Sequence, residues 1–398
     1  MHDLARAGQV PALVLGSGNT ALGAIRSLGR AGVPQFCASP APDYERASRW
    51  YRPVHGLWLD DSLERNLRRC GHECAVLIPT SDKAALAATS LPTDLKQRFP
   101  SSTAGVELLR DMTDKRRLDA LLERHGVPRP RTWALNSEAD IEALDDAVLE
   151  HAFLKPRDSN RFEATFGKKA LRPAGRAAIR HAFVQAAEAG FEMILQEYIA
   201  GPPTNCYLID GFVDSTGEVR GLFARRRLRQ HPPDFGNSTA LESVPREVVA
   251  EAEEILRAFL KSASYRGIFN AEFKIDARDG GFRLFEVNPR AWWYVEFATR
   301  CGVDTVTMSY WDALGVPVDT IQRYDTGRTV IYPYYDLISS RAMLADGKIR
   351  RTEIVRSWLT SEQMIYAADD PRPFLVATSK LWRNYLGRRL PPGARTPA

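Results

Sequence analysis

Two short runs on either side of residue 280 carry the residue types that hold a metal–phosphate complex. Asn270-Ala-Glu272-Phe-Lys-Ile-Asp276 reads as one strand, and Phe282-Arg-Leu-Phe-Glu286-Val-Asn288-Pro-Arg290 as the next, joined by the turn Asp279-Gly-Gly281. Alternate side chains of a strand share a face, so Glu286 and Asn288 project together, and the hairpin can bring Glu272 opposite them. Two carboxylates and an amide oxygen form a hard oxygen site suited to Mg²⁺. Arg290 points at the same place. A guanidinium is unfavourable beside a bare cation but well placed if anionic phosphate fills the gap. A solvated surface hairpin is the competing reading, and Pro289 weakens it by stopping the ladder just where the polar groups gather.

Other residues suggest anion chemistry. Lys155 ends the apolar strand Phe153-Leu-Lys-Pro156, and a lysine among apolar neighbours needs an anion. Arg225, Arg227 and Arg229 share one face of a strand, either as a solvated charged face or as a clamp for phosphate or a substrate carboxylate. The loop His231-Pro-Pro-Asp-Phe-Gly236 could close over the acceptor, whereas Trp292 and Trp293 read as core. Gly16-Ser-Gly18-Asn-Thr-Ala21 follows a strand and opens a helix, as a dinucleotide fingerprint does. That supports an NAD-linked oxidoreductase as an alternative of another class. The acidic residue expected after the second strand is absent, since Ser39 and Pro40 stand there. We read Gly18 and Asn19 instead as a helix N-terminus that binds an anion. Cys70, His72 and Cys74 lack a second ligand pair for a tetrahedral metal.

The elements that must position these residues begin with Ala12 to Gly16, a helix carrying Leu22, Ile25 and Leu28, strands at Gln35 to Ala38 and Ala75 to Pro79, and helices at Leu63 to Cys70 and after Thr80. Strands alternating with helices imply a parallel sheet. Asp114 caps a helix from Lys115 to His125. Strand Thr132 to Ala134, a helix from Ser137 to about Ala147, strand Phe153 to Pro156, a polar loop, strand Lys169 to Leu171, a helix from Ala174 to Ala189 and strand Met193 to Glu197 follow. Longer strands run Asn205 to Val213 and Val219 to Arg229, with a helix from Arg246 to Lys261 before the hairpin. Patterning weakens after Val318, and Pro391 to Ala398 reads as a loose tail.

The 398 residues suffice for two to four domains. Lys+Arg 54 against Asp+Glu 49 leaves +5, too thin an excess to argue for nucleic acid. No apolar run is long enough for a membrane span, and no secretory signal opens the chain. Five scattered cysteines fit reduced thiols, so a cytoplasmic location is expected.

Taken in order, these motifs resemble the ATP-grasp superfamily: Asp114-Lys115 opening a helix that ends Gly-Val-Pro128-Arg-Pro130, the lysine strand, Leu195-Gln-Glu197-Tyr-Ile199-Ala-Gly201 as a hinge, and the acidic hairpin. The resemblance covers about Leu109 to Gly315. It implies an α/β fold with α+β lobes: residues 1–109 a parallel α/β pre-ATP-grasp domain, 110–200 the small lobe, 201–318 the large lobe with the metal site, and 319–398 a C-terminal extension and tail. It further implies that Lys115, Lys155 and Lys169 contact ATP phosphates and that Glu197 and Ile199 hold adenine, largely through backbone groups. Glu272, Glu286 and Asn288 would bind Mg²⁺ (or Mn²⁺), and Arg290 would act on the transferring phosphoryl group. Arg225 and Arg227, with Gly18 and Asn19, would clamp substrate or phosphate anions. The segment Arg157 to Lys169 has one glycine where many members have a glycine-rich loop, which looks like the branch of D-aspartate ligase and related carboxylate–amine ligases. Pro202-Pro203 stand where many members place an acidic ribose contact. The expected reaction joins a small-molecule carboxylate to an amine through an acyl phosphate, with no nucleic-acid or membrane partner, and is compatible with a homodimer. A bicarbonate-activating carboxylase or carbamoyl-phosphate enzyme is the alternative within the superfamily.

Overall fold

Ala12–Leu15 (β1), Gln35–Ala38 (β2) and Val76–Pro79 (β3) form a parallel sheet in the order β2-β1-β3, with Ala12 opposite both Gln35 and Val76. The structure is a computed structural model that describes residues 9–39, 43–54, 62–157, 159–232 and 235–389. Residues 1–8, Pro40, Asp158, Pro233, Asp234 and the tail from Pro391 to Ala398, all of which enter the sequence reading, lie outside the described residues. Each residue of β1 is buried, as a strand covered on both faces requires. Gly16 leaves it at φ 141°, where a Cβ would lie 2.1 Å from Thr80 Oγ1, so only glycine makes this turn. The helix Gly18–Arg30 then buries Ala21, Leu22, Ile25 and Leu28.

The chain divides into two compact units. One combines residues 1–101, 291–318 and 329–398; the other holds 102–290 and 319–328. In the first, Arg26 is fully buried and joins three distant segments. Its Nη1 donates to Glu296 at 2.8 Å and its Nε to Asp370 at 3.0 Å, and it reaches the carbonyls of Ile365 and Asp370. Glu296 is gripped again by Arg30 and Arg300. Gly23 lets the first helix meet Val295 and Glu296 closely, since a Cβ there would lie 2.7 Å from Val295 Cγ1.

The second unit has two antiparallel sheets. Thr132–Ala134 (β4), Ala152–Pro156 (β5) and Met193–Glu197 (β6) pair in the order β4-β6-β5. Leu154, Phe162, Ile179, Phe183 and Leu195 fill the core beneath them. Cys206–Val213 (β7), Val219–His231 (β8), Asn237–Ser243 (β9), Gly267–Ile275 (β10) and Phe282–Asn288 (β11) pair in the succession β11-β10-β7-β8-β9. Residues 319–328 join them: Tyr324 Oη donates to the Val244 carbonyl and accepts from the Ala224 N–H.

Several expected elements take another form. The polar loop after β5 contains the helix Ser159–Phe166, because Phe162 and Phe166, one turn apart, stack at 4.5 Å and pack on Phe191. The expected strand Lys169 to Leu171 is a single bridge from Leu171 to Leu154, and Pro173, without an N–H, follows it. The helix expected from Ser137 to Ala147 is two short ones, Glu138–Glu142 and Asp146–Glu150. β9 was not foreseen. Neither was the order after Val318, where Thr329–Ile331 (β12) pairs in parallel with Glu362–Gln363 (β13), and the helices Pro333–Ala345, Arg351–Thr360 and Arg372–Arg389 follow one another.

Candidate active site

Strand register brings the polar residues of the hairpin together. β10 and β11 set Glu272 opposite Glu286 and Asn270 opposite Asn288; β7 sets Asp210 opposite Asn270 and Leu208 opposite Glu272. Two rows therefore cross one face of the sheet, Asp210–Asn270–Asn288 and Leu208–Glu272–Glu286. β8 adds Arg225 opposite Leu208, and Arg227 one pleat further on. Asn288 Nδ2 donates to Asn270 Oδ1 at 2.9 Å, and Arg290 Nη2 to Asn288 Oδ1 at 3.2 Å.

The two carboxylates sit in unequal fields. Burial pushes the Glu272 carboxyl above the usual range, with Arg227 opposing and Glu286 adding to the rise. Burial acts upward on Glu286 too, but Lys115, Lys155, Lys169 and Arg290 together outweigh it and hold it below that range. Four cations thus converge on one carboxylate. Each would repel the others without an anion among them, and a polyphosphate is the anion that suits such a cluster. Among the described residues no three His, Cys, Asp or Glu side chains gather closely enough to hold a metal, the Cys70–His72–Cys74 trio included. The hairpin set is two carboxylates and an amide. Its donors fit a hard divalent cation that completes its shell from phosphate and water oxygens.

Local structure explains how the lysines arrive. Asp114 accepts from the N–H groups of Arg116 and Arg117, which caps the helix Lys115–Arg124. The same carboxylate pairs with Arg157 at 2.5 Å, pinning the start of that helix to the end of β5. Lys155 on β5 donates to Gln196 Oε1 at 3.4 Å. Burial lowers its ammonium to about 8, and Lys115 adds to the fall. Lys169 Nζ donates to Asn237 Oδ1 at 2.7 Å, and Glu163 lies 4.0 Å away.

The hinge residues follow β6. Glu197 accepts from the Arg131 N–H at 3.0 Å and pairs with Arg278 at 2.6 Å, and its own N–H donates to the Arg131 carbonyl at 2.8 Å, so its side chain and N–H are structural here. The Ile199 carbonyl accepts from Lys274 Nζ at 2.7 Å. Tyr198 between them has the Arg172 guanidinium over its ring at 3.8 Å. Phe235, from the loop expected to close over the acceptor, lies edge-on to Tyr198 and packs 4.6 Å from Phe153.

The expected anion clamps differ from expectation. Arg225, Arg227 and Arg229 are buried, so the solvated face is excluded. Arg225 grips the fully buried Asp210 through Nε at 2.6 Å and Nη2 at 3.3 Å. Arg227 donates to Glu272 at 3.1 Å, to Ser238 and to Gln230. Both arginines serve carboxylates of the chain itself. Gly18 and Asn19 belong to the other unit. There the buried Glu45 carboxyl accepts from the Asp43 N–H at 2.9 Å, and Tyr44 Oη donates to Asn19 Oδ1. Burial pushes this carboxyl above the usual range, with the Gly18 N–H among the groups opposing the rise, so an internal acid already lies beside the glycine turn. Sequence reasoning also missed Asp210 and Asn270. Asn270-Ala-Glu272 mirrors Glu286-Val-Asn288, and that symmetry across an Asp-Gly-Gly turn was the signal for Asn270.

No family model matches the chain. The D-aspartate ligase of Enterococcus faecium (strain Aus0004) is 25% identical over 300 residues, 70% of either chain. Among solved structures, the carboxyaminoimidazole ribonucleotide synthase of Aspergillus clavatus, complexed with ATP, superposes with a TM-score of 0.64 at 14% identity, over 85% of this chain and 87% of that one. The biotin carboxylase domain dimer of the Hydrogenobacter thermophilus 2-oxoglutarate carboxylase, in complex with MgADP, ADP and bicarbonate, gives 0.59 at 16% identity, over 80% and 73%. These likenesses supply the fold, and the order of motifs from Asp114 to Arg290 agrees with it: the chain has the fold of the ATP-grasp enzymes and resembles D-aspartate ligase.

Proposed function

We propose that the protein is an ATP-dependent carboxylate–amine ligase that works through an acyl phosphate. The observation that carries this is the Glu272–Glu286–Asn288 oxygen set facing Lys115, Lys155, Lys169 and Arg290. An oxygen of the substrate carboxylate attacks the γ-phosphorus of ATP. The bond from that phosphorus to the β–γ bridging oxygen breaks, and ADP leaves. The amine then attacks the acyl carbon, the carbon–oxygen bond to phosphate breaks, and the nitrogen loses a proton to give the amide. In this reading Lys115, Lys155 and Lys169 hold the phosphates, and the Glu197 carbonyl and Ile199 N–H hold adenine, the Glu197 N–H and Ile199 carbonyl being already engaged. Arg290, already hydrogen-bonded to Asn288, neutralises charge that builds on the transferring group. Mg²⁺ held by Glu272, Glu286 and Asn288 would supply further neutralisation of the β- and γ-oxygens.

The relatives support this reading by name only: one is a ligase of D-aspartate, and the others are complexed with ATP or MgADP. Because one neighbour holds bicarbonate, that anion belongs among the acids tested. We also propose that the four segments 1–109, 110–200, 201–318 and 319–398 keep the functional division read from the sequence, and that the protein forms a homodimer. The test is isotope transfer. With ¹⁸O in the substrate carboxylate, one ¹⁸O should appear in released phosphate alongside ADP. Release of AMP and pyrophosphate would overturn the acyl-phosphate route.

A further inference from the structure

An amide side chain has an accepting end and a donating end, and nothing in its own shape decides which end faces a site. For Asn288 the choice matters. Its oxygen can join a hard cation or accept from Arg290; its NH₂ group can do neither. We propose that Asp210, acting through Asn270, fixes the polarity of the Asn288 amide, so that Asp210 and Asn270 are positioning residues of the site. The inference rests on the functional reading given above.

Asp210 is the one group of the row that has no choice of polarity. An ionised carboxylate only accepts. Arg225 donates to both oxygens of Asp210, so the buried charge has its partner within the sheet. Asn270 must therefore turn its Nδ2 toward Asp210, and it does. Its Oδ1 is then left facing β11. That oxygen accepts, so Asn288 must turn Nδ2 toward it, and does at 2.9 Å. The Asn288 oxygen consequently faces the other way, where Arg290 Nη2 lies 3.2 Å off. Every link joins residues already paired in register, Asp210 with Asn270 and Asn270 with Asn288, so the backbone holds the row at hydrogen-bond spacing. Turning Asn288 over would set two oxygens against each other in a buried row and point a donor at a guanidinium. Asp210 and Asn270 are almost wholly buried, at 0% and 2% exposure, so water is poorly placed to repair such a mismatch.

The test measures Mn²⁺ binding to the full chain in the presence of ADP by electron paramagnetic resonance, with melting temperature taken on the same samples. Asn270→Leu keeps the size of the side chain and removes the relay. It should weaken Mn²⁺ binding about tenfold, the lower end of what losing an outer partner of a metal ligand costs. Adding Asn288→Asp should restore binding to within about threefold, because a carboxylate presents oxygen whichever way it turns. If Asn270→Leu does not fold, Asp210→Asn carries the test: an amide can donate as well as accept, so the anchor loses its polarity. The same weakening and the same rescue by Asn288→Asp are expected. Mn²⁺ binding like wild type in these variants overturns the relay. So does a loss that Asn288→Asp leaves unrepaired while the melting temperature falls, which is the mark of packing alone. Should Asn288→Ala bind Mn²⁺ as wild type does, the metal reading itself has failed, and the relay falls with it.

Discussion

Lys155 is the residue whose surroundings say most about what it awaits. Its ammonium is lowered to about 8 by burial, and then by Lys115, against the pull of Glu286 and Glu272. A bound polyphosphate adds negative charge beside it and should raise that value again. Nucleotide binding near pH 8 should therefore take up protons, and ADP affinity should fall as pH rises through 8. Calorimetry at pH 8 in buffers of different ionisation heat measures the uptake. Lys155→Met should abolish both the uptake and the pH dependence. If the variant keeps the pH dependence, another group is titrating. Stability follows the opposite sense. Between about 8 and the ordinary lysine value the unfolded chain holds more protons, so this residue's contribution favours folding more as pH rises there.

At the scale of elements, the helix Ser159–Phe166 shows how packing overrides a polar stretch. Phe162 is fully buried and Phe166 half-buried, each against Phe191. Phe162→Ala should destabilise the small-sheet region by about 3–5 kcal/mol through the cavity it leaves. Phe166→Ala should cost less, and urea unfolding of the two variants checks the order. This helix was illegible because Arg161 within it and Arg157 and Lys168 beside it dominate the stretch, while its two aromatics signal only once Phe191 is beside them. The acidic hairpin was legible for the converse reason: alternation, a glycine turn and a terminal proline lie within one short stretch. Asp210 was not legible. It sits in the strand Cys-Tyr-Leu-Ile-Asp-Gly-Phe-Val as its one charged residue, and its meaning depends on Arg225 and Asn270 from two other strands. β9, Asn-Ser-Thr-Ala-Leu-Glu-Ser, has few strand-forming side chains and owes its form to pairing with β8. The helix Arg351–Thr360 buries none of its residues, so no apolar stripe announced it.

At the scale of the molecule, the N-terminal unit is assembled from three stretches of chain that meet at Arg26. Replacing Arg26 with Met removes a buried cation from Glu296 and Asp370. Glu296 keeps Arg30 and Arg300, so Asp370 is left short of a partner. Breaking a buried pair in this way costs about 3–5 kcal/mol. Amide hydrogen exchange in Ala12–Leu15 should then quicken by about a hundredfold or more, reading the loss in that unit alone. Unchanged exchange there would mean that apolar packing holds the three stretches without the charge network. The same arrangement sets a timetable for the chain as it is made. Arg26 and Asp370 are 344 residues apart. At roughly 5–20 residues per second, the ribosome delivers the second roughly 20–70 s after the first. Through that interval the βα segment around Arg26 waits without its closing partners, and residues 102–290, which contain every member of the proposed site, are made before it ends. A segment made before residues 102–290 is thus finished after them, and a chaperone that shields β1 and its helix would have its work before Asp370 is made.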